Sequence, residues 1–516
     1  MALDATALKT QGTPEWWMQT MARLLLDPIR LRRLATLQAY RAGCPPMPYL
    51  APSERRGFYE FHRVARANFA RRIVNSRVQR QGIRAIRTAA ADDDNGDAVA
   101  WRYFTGNGLD VAAPDVHSDM HTFGETYVRV GLDATSRPLA LRRDPWSTIT
   151  LQDPLNPNVT IAAFELIWDE LDGRDYAYLW LPGKQYVAYA DRPNRPRTFR
   201  LPGVSVSNRP WDVQRLLYRM TFDAQAFTMR PDVADIAPDA QDGGPYSQTF
   251  LEDVVPVVKF STRGGMGVFE EHLDTLDRIN HSIMQRLVII AVQAYKQRAL
   301  EQELPADARA QGDRLPAVDP KTGQPINWDE IFQPGPDALW KLPPGVKIWE
   351  SGVVDPRGVL SAASDDIKQL SSETGTPFPL MSDDTNQSAE GAQNRREDLV
   401  FSVEDANVLA RHGWVRVVAL MFMFAPDEDR YAGEGAQRVD RADAGQIIID
   451  WMPAERYSLS EKAAADAANK TLSRPMSAAK IWQLTPDEVA INEAHAAAEA
   501  LLAPVATGSG GTAPAS

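Results

Sequence analysis

The chain has 516 residues, 44% of them hydrophobic, enough to bury a sizeable core and to divide into two to four domains. Its single cysteine, Cys44, excludes an internal disulfide and a cysteine-cluster metal site, and fits a reducing compartment. A net charge of −12 and a pI of about 5.2 argue against sequence-specific DNA binding, which draws its affinity from basic residues on phosphates; a conduit through which DNA slides should bind weakly and fits the acidic balance.

The first residues, MALDATALKTQGTPEWW, lack the basic-then-apolar pattern of a secretory leader. Thr13-Pro14 and Asp27-Pro28 each set a capping side chain before a proline, predicting helices through residue 26 and to near residue 43. A third helix is expected over residues 54–76, carrying Phe58, Phe61, Val64, Phe69 and Ile73. Ten arginines from Arg55 to Arg87 make this the most basic region. They read as a nucleic-acid patch or, the preferred reading, as a solvated face with salt bridges to acidic neighbouring subunits. ADDDNGD is a polar turn with Asn95-Gly96 as a hairpin signal. It fails as a calcium loop, because Ala91 and Arg102 would stand at the first and twelfth ligand positions.

Strands are expected at residues 99–104, 127–130, 148–151 and 160–167, with a hairpin of 176–181 and 186–189 around Pro182-Gly183. His117, His121 and Glu125 could lie on one helix face. No glutamate follows His117 as the H-E-x-x-H mechanism requires, and Gly124 interrupts the helix, so no metal site is assigned. Residues 192–202 and 230–245 are proline- and charge-rich loops. A strand at 254–258, then Arg263-Gly264-Gly265-Met266-Gly267, then a helix is the setting of a dinucleotide fold. The third glycine position holds Glu270, whose carboxylate would repel a pyrophosphate, and no G-x-x-x-x-G-K-[ST] occurs. The glycines read as a hinge, and no cofactor and no catalytic residue is assigned.

A helix over residues 268–303 has the apolar face Phe269, Leu273, Leu276, Ile279, Ile283, Leu287, Ile290 and Ala294, and Pro305 stops it. Its run LVIIAV is far shorter than the ~20 residues of a membrane span, so a soluble protein is expected. Prolines are dense as far as Pro344, with Trp328, Phe332 and Trp340 as anchors. Asp355-Pro356 opens a returning helix with the face Leu360, Ala363, Ile367 and Leu370, ended by a left-handed Gly375. Pro377 and Pro379 forbid resumption, and 381–386 is an exposed polar loop. From about residue 388 a helix of nearly forty residues, over ~50 Å long, is expected. Its apolar or small positions are Ala392, Leu399, Val403, Ala406, Ala410, Trp414, Val417 and Met421. An acidic loop follows Pro426, then a strand at 446–451. Capping boxes at Ser458–Glu461 and Thr485–Glu488 open two alanine-rich helices, and a Gly/Ser/Ala tail closes the chain.

The order of these pieces resembles the portal proteins of tailed bacteriophages. The stretches VPVVKFSTRGGMGVFEEHLDTLDRINHSIMQRLVIIAVQAYKQRAL and LWKLPPGVKIWESG are similar to portals of siphophages that infect actinobacteria, and a weaker similarity runs from about Trp16 to Leu502. The resemblance implies an α+β, mainly helical portal fold with wing, stem, clip and crown, assembled as a ring of typically twelve subunits. It implies a wing at 1–267, a stem helix at 268–304, a clip at 305–355, a second stem helix at 356–375 and a tunnel loop at 376–387. A long wing helix with its returning strand would take 388–456, crown helices 457–503 and a flexible tail 504–516.

The tunnel loop's DNA-facing residues would be Thr376, Pro377, Phe378, Pro379, Met381, Ser382, Asp383, Asp384, Thr385 and Asn386. Trp328, Phe332, Trp340 and Trp349 would form the clip that meets terminase or an adaptor. The implied role is packaging and ejecting viral DNA through one capsid vertex. Its partners would be further copies of the chain, the major capsid protein, the terminase large subunit, a head-tail adaptor and double-stranded DNA held without sequence preference, with no membrane. Assembly would occur in the host cytoplasm and the final location would be the virion. Two other classes remain open at this point: a carboxylate-based nuclease, and another minor capsid or adaptor protein.

Overall fold

The structure, a computed structural model, describes residues 10–45, 64–90, 96–133, 135–169, 174–191, 228–229, 254–294, 298–302, 346–350, 357–377, 389–433, 435, 438–455, 457–484 and 486–502. The chain divides into two units. The larger takes Met1–Pro48, Ala67–Asp277 and Ile367–Ser516, the smaller Tyr49–Arg66 and Arg278–Asp366.

Helices α1 (Pro14–Leu25) and α2 (Pro28–Arg41) start where the sequence predicts. Thr13 Oγ1 accepts the Trp16 amide, Asp27 accepts that of Ile29, and a proline opens each first turn. The helix expected over 54–76 is not continuous. The chain leaves helical geometry at 66–68 and restarts as α3 (Phe69–Val78). Asn68 causes the break: its Oδ1 caps the Arg71 amide while its Nδ2 donates to the Arg41 carbonyl. After β1 (Ile83–Arg87), the strand expected at 99–104 is instead helix α4 (Ala98–Gly106). The Asp97 carboxylate accepts the amides of Val99 and Ala100, and the helix turns Ala100 and Phe104 together into the core. Cap and packing here override the strand propensity of Val99, Trp101 and Tyr103.

Helix α5 (Leu109–Phe123) leads into β2 (Glu125–Leu132) and β3 (Pro138–Arg143), the latter a strand the periodicity did not predict. Strands β4 (Thr148–Gln152), β5 (Thr160–Asp169), β6 (Arg174–Leu181), β7 (Lys184–Asp191) and β8 (Thr228–Met229) follow. Strand β9 (Val257–Ser261) lies three residues beyond the expected 254–258. Helix α6 spans Leu273–Ala294 rather than 268–303. Two 3-10 turns precede it, and Arg298–Gln302 is a strand, β10, paired with β11 (Val346–Glu350). Local composition there suits a helix, but pairing with a distant strand wins.

The rest comprises α7 (Arg357–Glu373), α8 (Ala389–Phe424), α9 (Asp427–Arg430), β12 (Tyr431–Ala432), β13 (Val439–Asp440), β14 (Ile448–Trp451), α10 (Leu459–Ala468), α11 (Arg474–Lys480) and α12 (Pro486–Leu502). The fold is a mixed α+β one whose described sheets are all antiparallel.

Within the larger unit, the described strands form a three-stranded sheet, β3-β2-β9, and a five-stranded one, β4-β5-β6-β7-β8. Helix α1 covers one face of the five-stranded sheet through Met18, Met21 and Leu25 against Phe164, Leu179 and Ala188. The opposite face meets the other sheet through Trp180 and Ala163 against Tyr127 and Val257. Glu165 is sealed between them, 2.7 Å from Arg143 and 3.4 Å from Arg129. The main core gathers on α8: Ala410, Trp414, Val417, Val418, Met421 and Phe422 pack against Phe104, Val116, Met120, Val128 and Phe260. Gly413 permits the close approach, since a Cβ there would lie 2.4 Å from the Phe260 ring. Strand β1 pairs with β14.

In the smaller unit, β10 and β11 pair in register from Arg298↔Glu350 to Gln302↔Val346. An ion pair of 2.9 Å joins Arg278 to Asp366.

Candidate functional site

The point where the chain leaves α7 is built with unusual care for a connection. Gly375 adopts φ 59°, the left-handed conformation expected of it. The Thr376 amide then donates to Ser371 O (3.1 Å) and the Gly375 amide to Ser372 O (3.4 Å), the double bond of a Schellman stop. Ser371 Oγ returns a bond to Thr376 O (2.6 Å), and Thr374 Oγ1 bonds Leu370 O (2.8 Å). Leu370, Ser371, Thr374 and Thr376 are all buried. Thr376, expected to face DNA, is fully buried and anchors the connection instead. Its backbone is consumed by the Schellman geometry, which turns the side chain inward.

Arg77 of α3 reaches this stop, with Nη2 2.6 Å from the Thr374 carbonyl. Beside it lies a buried polar cluster. His117 and His121 occupy successive turns of α5, at 0% and 2% exposure. Trp414 Nε1 donates to His117 Nε2 at 2.9 Å, so that nitrogen is bare and the ring proton sits on Nδ1. His121 Nε2 lies 2.5 Å from Gln81 Oε1, an acceptor, so here the proton sits on Nε2. Gln81 Nε2 continues the chain to Asn407 Oδ1 (3.2 Å). The two rings are thus opposite tautomers.

Burial pushes His117 down to about 3. It also holds His121 well below the usual imidazole value, with the Arg77 charge adding to the effect. Both are neutral at pH 7. Glu125 does not join them; it accepts from Arg30 (2.8 Å) and Tyr127 (3.0 Å) and pairs with Lys259 (3.1 Å). Among the described residues no group of three His, Cys, Asp or Glu could hold a metal ion.

The glycine turn before α6 is also closed by charge. Arg33 forks onto both oxygens of Glu270 (2.6 Å each) and onto Gly265 O (2.7 Å), while Glu270 accepts the Gly267 amide (2.8 Å). Arg263 pairs with Asp405 of α8. Three arginines of the basic stretch find partners within the chain. Arg77 takes Thr374 O, and Asp450 of β14 takes Arg84 (3.4 Å) and Arg87 (3.1 Å).

Pro377 is half-buried beside Thr376. Phe378, Pro379, Met381, Ser382, Asp383, Asp384, Thr385 and Asn386 lie outside the described residues, as do Trp328, Phe332 and Trp340. Trp349 is on β11, opposite Ala299. Sequence reasoning placed Arg77 with the basic residues of a solvated face, whereas it is buried, and it missed Ser371 and Thr374. The available signal was that Arg77 follows Ile73 and Val74 by four and three residues, which puts a cation on the apolar face of its helix.

No protein-family model matches the chain, and no curated protein matches it. No described helix is long and apolar enough to cross a membrane.

Proposed function

We propose that the protein is a portal subunit of a tailed bacteriophage, one copy of a ring that passes double-stranded DNA. The observation that carries the reading is the order of the described elements: helix α6, the paired strands β10 and β11, helix α7 with its Schellman stop, and the 36-residue α8. That order is the one the sequence resemblance implies for stem, clip, second stem, tunnel loop and wing helix. It also supplies what a conduit needs, a connection between two helices fixed at its base.

Helix α8 supports assembly by its outer face. Phe401 (66% exposed) and Val408 (57%) stand two turns apart, away from the buried Leu399, Val403, Ala406 and Ala410. Large apolar side chains on such a helix are suited to a neighbouring copy. Negative-stain imaging and light scattering of the purified protein test the reading. Rings with a central hole are expected. A 57.3 kDa monomer alone, at every concentration and salt tried, would overturn it.

A further inference from the structure

Arg77 is 7% exposed, and among the described residues no carboxylate pairs with it. A guanidinium withdrawn from water without a counter-charge is expensive, and burial pushes this one down to about 10. An apolar side chain of similar volume would serve stability as well or better. Arg77 spends its donors on carbonyls. One is Ile73 O on its own helix (3.3 Å); the other, at 2.6 Å, is Thr374 O just past the end of α7. That carbonyl belongs to the negative end of the α7 dipole, where a cation is favoured and a charge-assisted bond is directional.

Four further bonds of this terminus are internal to residues 370–376: Thr376 to Ser371, Gly375 to Ser372, Ser371 to Thr376, Thr374 to Leu370. Among the described residues two polar ties reach other elements: the buried Arg77 bond to the Thr374 carbonyl, and a partly exposed contact of 3.2 Å between His272 Nδ1 and the Glu373 carboxylate. Gly375 meanwhile faces α8 at Asp398, nearly three turns into that helix, where an added Cβ would come 3.7 Å from Asp398 O. The terminus is therefore tied together internally, and its orientation relative to the core is set by apolar packing, the partly exposed His272–Glu373 contact and the buried, directional bond from Arg77.

We propose that Arg77 is a positioning residue: its grip on the Thr374 carbonyl fixes where the chain leaves α7 for α8 and so, on the portal reading on which this role rests, aims the connection presented to DNA.

The test is Arg77→Met, which keeps volume and burial but removes the cation and its donors. If Arg77 positions the terminus, hydrogen exchange of the Gly375 and Thr376 amides rises at least about tenfold, as loss of a charge-assisted bond implies. Exchange in the buried half of α8 stays as in the parent, and the global unfolding midpoint is unchanged or raised. A merely structural Arg77 would instead lower the midpoint and loosen α3, α7 and α8 together; that outcome, or unchanged exchange at residues 375–376, would overturn the proposal.

Should the variant fail to fold, native-state exchange of the parent protein decides. The Thr376 amide is expected to open together with the α3 amides of residues 73–77, and independent opening sinks the idea. Imaging the same samples keeps the two claims apart. Absent rings in the parent protein count against the portal reading, whereas the exchange result concerns Arg77 whether or not rings form.

Discussion

Helix α8 and the C-terminal helices α10 and α12 are regular, foreseeable from sequence, and held in place by different means. From Leu399 to Phe424, α8 buries a residue at nearly every inward position, and Trp414, Val417, Val418, Met421 and Phe422 are sealed from solvent. Helix α10 buries no residue at all. Helix α12 buries Val489 while Ile491 remains 57% exposed. What holds α10 is polar: the Ser458–Glu461 capping box, Lys462 donating to Gln483 Oε1 (2.8 Å), and Ser477 bonding Asp466. The difference follows from side-chain volume. Bulky residues at a 3.6 period create a face that must be covered, whereas alanine makes a good helix without demanding a partner. On the portal reading the C-terminal helices would gain their partners only in the assembled ring.

The widest gap between the two regions should appear on truncation. Trp414 sits against Phe260 (5.0 Å between ring centres) and Phe104 (5.6 Å), and it satisfies His117. Trp414→Ala is expected to cost ~3–5 kcal/mol in urea denaturation, through the cavity and the orphaned imidazole. Ile491→Ala should stay within ~0.5 kcal/mol. Comparable losses from both would erase the distinction.

Acid should attack the α8 side of the comparison next. His117 titrates in the folded protein at about 3, below its unfolded value of ~6.5, so the unfolded state binds more protons between these limits. The stability is fully present above ~6.5 and lost as pH falls toward 3, at ~1.4 kcal/mol per pH unit for His117. His121 is displaced in the same direction. Lowering the pH from 6.5 to 5 should therefore cost ~2 kcal/mol from His117 in urea midpoints corrected for m, with His121 acting in the same direction. A flat profile over that interval would mean that neither ring is held neutral.

What could be read in advance follows the same division. The α8 face was legible because Leu399, Val403, Trp414 and Met421 announce it by size and spacing. The α1 and α2 starts were legible because Thr13-Pro14 and Asp27-Pro28 encode caps locally. Helix α4 was misread because Val99, Trp101 and Tyr103 alternate with smaller or polar residues, and Asp97's capping role depends on where its carboxylate points. Strand β10 was invisible because its partner lies beyond residue 345. At the candidate site, Gly375 and the two prolines marked a stop, but nothing local shows that Thr376 turns inward or that Arg77 arrives from α3.

The smallest effect is the sharpest test of the polar side of the comparison. Ser458 Oγ accepts the Glu461 amide (3.3 Å), while Glu461 Oε2 accepts the Ser458 amide (2.7 Å). Ser458→Ala removes half of that reciprocal pair, worth ~1 kcal/mol. Helix α10 has ten residues, short of the ~12–15 at which even isolated alanine-rich helices become marginal, and it has no buried face to compensate. The loss should therefore appear locally, as roughly fivefold faster exchange of amides in residues 459–468. The global midpoint, set by the α8 core, should not move. If Ser458→Ala lowered that midpoint by the full ~1 kcal/mol, α10 would unfold with the core. Its stability would then belong to the same cooperative unit as Trp414, and the contrast between a packed helix and a capped one would fail.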